Sequence, residues 1–355
     1  MKKIKLSFLA ITLIAIAVSC KKTDVQTVTP VTTDSAGIYI LGEGNYGQNA
    51  TTISSYIFAD SSTVTDAFYN KNHFSLGSTG DDFIIYGGKM YIAMNSSGYV
   101  SVVNAYNMQF IDSISFIIAD TNRAPENIIA YQNHVFVTCN TGAVAVIDTE
   151  GLAITKFIPV GNNPAQMAIY GTNLYVSNTG GYPTPPDDST LSVINLNTLT
   201  EALPRIIVGL DPGYIASDNA GNLFVACIGN YGSVLPTLVE VSTSTNMVTQ
   251  SSPVAAGVVR YYNNQLYITG GYLGAATVQI LNPVNLNATP TSFVADGTVF
   301  ADPNGLDIDP ATGNVYVCDA IGSTSGEIYG FNNSGKKTFS FAEPTAYPIK
   351  VVLKP

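Results

Sequence analysis

An aromatic residue set between aliphatic or β-branched neighbours recurs seven times along the chain, as IYI, MYIA, VFVT, LYVS, LFVA, LYIT and VYVC. The aromatics are Tyr39, Tyr91, Phe136, Tyr175, Phe224, Tyr267 and Tyr316, at spacings of 52, 45, 39, 49, 43 and 49 residues. A period of this length means one supersecondary unit per repeat, each burying its apolar face only by stacking on its neighbours. Behind each aromatic strand lies a Gly/Asn/Ser-rich loop. In four units a strand of shared pattern follows it: VSVVN (100–104), VAVID (144–148), LSVIN (191–195) and VQILN (278–282). Alternating apolar residues that end in Asn or Asp mark a strand entering a turn.

Ahead of each aromatic strand stands a third element, often led by proline: APENIIAY, NPAQMAIY, DPGYIASD and DPNGLDID, with TGDDFIIY, AAGVVRYY and AYPIKVVL as less regular versions. A fourth strand, such as TKFIPVG or PRIIVG, completes the unit. Four strands per unit, with no helical 3.6-residue pattern, predict an all-β, seven-bladed β-propeller. The repeat begins on an aromatic second strand, GIYIL, and finishes on an inner strand, YPIKVVL. The C-terminal strand is therefore expected to pair into the N-terminal blade, closing the ring and removing an exposed sheet edge.

The tetrapeptide GNYG occurs at 44–47 and at 229–232, each time between the second and third strands of a unit, and GGY occupies equivalent loops at 180–182 and 270–272. Such loops emerge on one face of a propeller. Tyr46, Tyr182, Tyr231 and Tyr272, with Asn45 and Asn230, are thus candidates for a ligand-binding face; the plainer alternative is that these residues only serve tight turns. Counting from the prolines of the inner strands gives a second ring: Asp82, Asn127, Gln166, Tyr214, Val258, Gly305 and Lys350. Period-2 alternation sets it on one side of the strands and the following apolar residues, Phe83 to Val351, between blades. Its polar members Asp82, Asn127, Gln166 and Tyr214 join the ligand-binding candidates. Their mixed character near a channel mouth suits a neutral, hydrogen-bonding ligand. The same count brings Arg260 and Asp307 to equivalent positions in adjacent blades. An ion pair between them within about 4 Å is expected.

Residues 1–19 combine a basic start, MKKIK, with an apolar run too short to span a bilayer, which takes about 20 residues. They read as a signal peptide. Ala17-Val18-Ser19-Cys20 resembles a bacterial lipobox, so Cys20 is the expected lipidation site, 20–36 a polar tether and 37–355 the propeller. An outer-membrane lipoprotein follows, held by its lipid anchor alone and facing the cell exterior or the periplasm. Removing residues 1–19 takes three lysines and no acid from 15 basic and 25 acidic residues, leaving a net charge of −13. That excludes nucleic acid as a partner. Cys139, Cys227 and Cys318 sit in separate strand runs with no CxxC or Cys/His spacing, as buried free thiols do.

Neither His73 nor His134 has a motif-like nucleophile or acid nearby, and no phosphate-binding loop is present. No catalytic residue, cofactor or metal is assigned. One alternative rests on DPNGLDIDPATGNVYV (302–317), which resembles the PNGL strand of metal-dependent lactonase propellers. That resemblance implies a divalent ion held by Asn304 with Asp81, Asp82, Glu126 and Asn127, although the charge of Lys350 would oppose it.

The stretches LGEGNYGQNATTISSY and FSLGSTGDDFIIYGGKMYIAMNSSGYVSVVNA resemble the start of YncE-like propellers found as surface lipoproteins in Bacteroidota, and FVTCNTGAVAVIDT resembles the YVTN repeat of surface-layer propellers. The resemblance runs from about residue 37 to 355. It implies the fold and a binding role. One branch, the BtuG type, captures corrinoids for a TonB-dependent outer-membrane transporter. The expected function is capture of a small-molecule or glycan nutrient, corrinoid- or glycan-like, for such a transporter by a monomeric domain. A lactonase-like hydrolase and a surface-layer or adhesion scaffold are the alternatives.

Overall fold

The structure is a computed structural model that describes residues 36–181, 188–218, 220–271 and 273–355. The signal segment, Cys20, the tether up to residue 35, Tyr182 and Tyr272 lie outside the described residues. Seven four-stranded sheets, every pairing antiparallel, account for the seven repeats. In the second blade the order from the inside outward is Gly80–Tyr86, Lys89–Met94, Tyr99–Asn104 and Phe110–Ser115. The first blade takes its inner strand, Pro348–Lys354, from the C-terminal end of the repeat, and this pairs with Gly37–Gly42, Tyr39 opposite Val352. The ring closes as its repeat pattern requires.

Seven apolar clusters fill the seven blade interfaces. The recurring aromatic is the main knob of this packing: Tyr39, Tyr91, Phe136, Tyr175 and Phe224 are all fully buried. Tyr39 reaches into the second blade, where its hydroxyl donates to the Ala105 carbonyl at 3.0 Å. A buried phenol needs such a partner. At the closure seam Tyr56 stacks on Phe339, ring centroids 4.3 Å apart and planes 20° apart. The three thiols are buried and unpaired. Burial pushes those of Cys139 and Cys227 up to about 12.

The inner strands slip register near their starts, in four blades at the leading proline, which carries no N–H for the ladder. Both faces of an inner strand look at a neighbouring blade. Phe83 packs against the first blade, while Ile84 packs toward the third. The polar ring and the apolar ring thus both lie between blades, on opposite faces of the same strands. This corrects the expectation that only the apolar set does.

Two elements depart from the repeat. A helix, Ala67–Asn72, follows the first blade, capped by Asp66, whose carboxylate accepts from the Tyr69 N–H at 3.0 Å. His73 is its left-handed C-cap, at φ 63°. A two-stranded ribbon, Ile117–Ile118 with Thr121–Asn122, precedes the third blade. No helix among the described residues is long and apolar enough to cross a membrane.

Candidate functional site at the channel mouth

Each loop between second and third strands is laced to the segment that leads into the inner strand of its own blade. Glu43 and Gly44 donate to the carbonyls of Tyr347 and Ala346, and Ile228 and Gly229 donate to those of Asp211 and Leu210. The loops and the inner-strand starts therefore share one face. The central channel opens there as a cavity of about 430 Å³, walled by Glu43, Tyr214, Asp302, Asn304 and the glycines Gly270, Gly271 and Gly274.

The two GNYG copies divide their labour. The first glycine of each is left-handed, at φ 79° for Gly44 and 86° for Gly229. A side chain at Gly44 would meet the Ala50 backbone at 2.7 Å, so glycine is required by the turn. Asn230 is spent within its loop, its side-chain oxygen accepting from Gly232 and Val234 at 3.1 and 2.8 Å. Asn45 instead donates to the Ser323 carbonyl of the last blade at 3.1 Å. Tyr46 is 84% exposed, and Tyr231, itself left-handed in its turn at φ 54°, is 50% exposed.

The inner ring serves mostly structure. Asp82 is 3% exposed and Asn127 7%. Asp82 pairs with Lys350, and its other oxygen accepts from the Asn127 amide at 2.6 Å and the Ile128 N–H at 2.8 Å. Asn127 in turn accepts from the Met167 N–H at 3.0 Å. These bonds stitch four blades together around the channel, and they leave the two side chains little to offer a ligand. Gln166 is half-buried, its backbone bonded to the Ser177 hydroxyl. Tyr214 does line the mouth. Burial pushes its phenol up to about 12, against the opposing pull of Arg260, whose guanidinium lies 5.6 Å from the ring centroid. Arg260 reaches Asp307 at 3.1 Å, as the repeat register requires. The second oxygen of Asp307 accepts from the Val351 N–H at 2.9 Å.

Three further carboxyls near the inner-strand starts are raised, and one of them, Glu43, lines the mouth. Burial drives Asp81 up to about 9, helped by repulsion from Glu126, Glu43 and Asp82 and opposed by the amide of Asn95. Burial likewise raises Glu43 to about 7. Glu126 also rises to about 7, through burial and then Asp82, opposed by Asn140. Near neutral pH burial thus favours the protonated form of Asp81 and leaves Glu43 and Glu126 divided between the two forms. Sequence pattern placed Asp81 and Glu126 only among metal ligands, and Glu43 went unmarked because burial at a loop start leaves no periodic signal. A divalent ion does not fit this arrangement. Asp82 is already neutralised by Lys350, and no three His, Cys, Asp or Glu side chains converge among the described residues.

Solved structures share the fold at low identity. A quinoprotein alcohol dehydrogenase-like protein of Bacteroides thetaiotaomicron is 14% identical over 90% of this chain and 79% of its own, with a TM-score of 0.70. A candidate 6-phosphogluconolactonase of Bacteroides fragilis is 14% identical over 91% and 99%, with a TM-score of 0.63. Apo AztD of Citrobacter koseri is 10% identical over 89% and 97%, with a TM-score of 0.54. No curated protein matches. A family model described as a domain of unknown function, DUF5074, matches residues 36–352.

Proposed function

The chain belongs to the DUF5074 family, and for this member we propose ligand capture at the channel mouth, without chemistry of its own. The observation that carries the reading is a 430 Å³ opening on the face whose loops also present exposed Tyr46 and half-exposed Tyr231. Aromatic faces supply apolar contact at low entropic cost, and the raised Glu43 carboxyl in the cavity wall supplies hydrogen bonding at reduced charge. That combination suits a neutral ligand, corrinoid- or glycan-like. A ligand larger than the cavity would rest across the loops. In this reading the protein is a lipoprotein acylated at Cys20 that passes its ligand to a TonB-dependent outer-membrane transporter. The chain enters its first strand at Gly37, on the face opposite the mouth.

The test is a thermal-shift screen of corrinoids and neutral glycans, followed by titration of any that stabilise the protein. A ligand at a hundredfold excess over its Kd adds about 2.7 kcal/mol of stability. Tyr46→Ala and Tyr231→Ala are each expected to weaken binding by about 1–3 kcal/mol with the ring still folded. Full affinity in both variants would refute a site on this face. A lactonase-like hydrolase is the second reading, supported by Asn304 in the cavity wall and by the proton held on Asp81. Turnover of a sugar lactone that disappears in Asp81→Asn would favour it over capture.

A further inference from the structure

A larger recess than the mouth lies on the other face. Between the fifth and sixth blades a groove of about 810 Å³ runs over the turns that join inner to second strands. Its origin is an irregularity of the sixth blade, whose outer strand is reduced to Thr291–Ser292 and covers only Gln279 and Ile280 of its neighbour. The loop from Asn282 replaces the missing strand. Gln250 of the fifth blade fixes that loop, accepting from the Leu286 N–H at 3.1 Å and donating to Glu240 at 2.6 Å. A second recess of about 540 Å³, between the fourth and fifth blades, shares Ala220 and Asn222 with the first. The two recesses adjoin at these residues and together form a cleft region across three blades.

The chemistry of the cleft is selective. No Lys, Arg or His lines either recess, which disfavours phosphate, sulfate or carboxylate ligands. The walls carry amides fixed at one atom by the protein and open at the other. Asn222 donates its amide to Asp218 at 2.8 Å, keeping its oxygen. Asn282 accepts from the Val284 N–H at 2.9 Å, keeping its donors. Asn264 accepts from the Tyr261 hydroxyl at 2.8 Å, likewise keeping its donors. Tyr261 is held parallel to Phe224, ring centroids 6.3 Å apart. Pre-oriented donors and acceptors interleaved with an aromatic ring suit a molecule that carries hydroxyls along one edge and C–H faces along the other.

We propose that this cleft is a second binding site, separate from the mouth, for a neutral oligosaccharide spanning the fourth to sixth blades. The probe is a panel of neutral hexasaccharides from cellulose, xylan, mannan and starch, titrated calorimetrically into the folded protein, with a sulfated oligosaccharide as the charged control. At least one neutral member is expected to bind, and the sulfated one not. The double variant Gln265→Ala/Asn282→Ala removes two exposed side chains of the cleft wall and should weaken binding about tenfold or more with the ring still unfolding cooperatively in urea. Tyr46→Ala should leave this binding intact, which separates the cleft from the mouth whichever of the two fails. No binding by any panel member at millimolar concentration would overturn the proposal. So would affinity unchanged in the double variant or lost in Tyr46→Ala.

Discussion

Replacing Asp307 by leucine strands a guanidinium and a backbone N–H at one blow. In the ring Asp307 accepts from Arg260 at 3.1 and 3.3 Å and from the Val351 N–H at 2.9 Å. Orphaning one member of a fully buried pair costs about 3–5 kcal/mol. Here the two side chains keep 28% and 18% of their surface, so water in the channel screens part of that, and about 2 kcal/mol is a fairer figure. The unmet N–H adds about 1 kcal/mol. Asp307→Leu should therefore cost about 3 kcal/mol and Arg260→Leu about 2 kcal/mol. The double variant loses the Val351 acceptor and the contact of Arg260 with Tyr214 but strands no charge, and should also cost about 2 kcal/mol. The coupling energy is then about 3 kcal/mol, at the upper end for neighbouring groups. Urea unfolding followed by tyrosine fluorescence measures it, since the chain has 21 tyrosines and no tryptophan. Single-variant costs that add to within about 0.5 kcal/mol would refute the pair as a stabilising bridge between the sixth and seventh blades.

Raised carboxyls near the inner-strand starts should make stability fall with pH. Asp81, Glu43 and Glu126 keep protons in the folded ring that the unfolded chain releases near pH 4, so their contribution is full below that value and is lost as pH rises toward 7 and, for Asp81, about 9. Urea midpoints across this window should decline, and Asp81→Asn should flatten the upper half; an unchanged slope would show that Asp81 titrates normally. Tyr175→Ala and Phe224→Ala, which empty buried blade interfaces, should each cost about 3–5 kcal/mol. Losses below about 1 kcal/mol would deny the repeat aromatics their packing role. Cys20→Ser should move the protein from the membrane to the soluble fraction, and retention on membranes would sink the lipid anchor.

The repeat made the fold legible because each blade restates the same physical problem. Seven aromatics at blade spacing, seven inner strands and an unmatched strand at either end of the pattern lead directly to a closed ring. The Arg260–Asp307 pair was legible for the same reason: two opposite charges broke a position that is apolar in the other strands. The mouth was harder. Asp82 and Asn127 look like ligand residues because they are polar at ring positions, but the N–H groups of the next blade also need acceptors there, and those won. Glu43 gained its character from burial by distant segments, which no local pattern encodes. The outer face of the sixth blade, where Thr291–Ser292 stands in for a full strand, could not be read from a repeat that it fails to repeat.

The strand that completes the first blade also sets the order in which the molecule can be made. Gly37–Gly42 emerges early in synthesis and finds its second-blade contacts soon after, but its inner partner, Pro348–Lys354, arrives last. The entropic cost of so long a loop is small: closing about seven blade lengths instead of one adds only about 1.7 kcal/mol, since the penalty grows as the logarithm of length. The larger burden is kinetic. Until the final residues are available, the nascent chain carries an unpaired edge on Gly37–Gly42 beside half-covered tyrosines, the kind of edge that recruits a second chain.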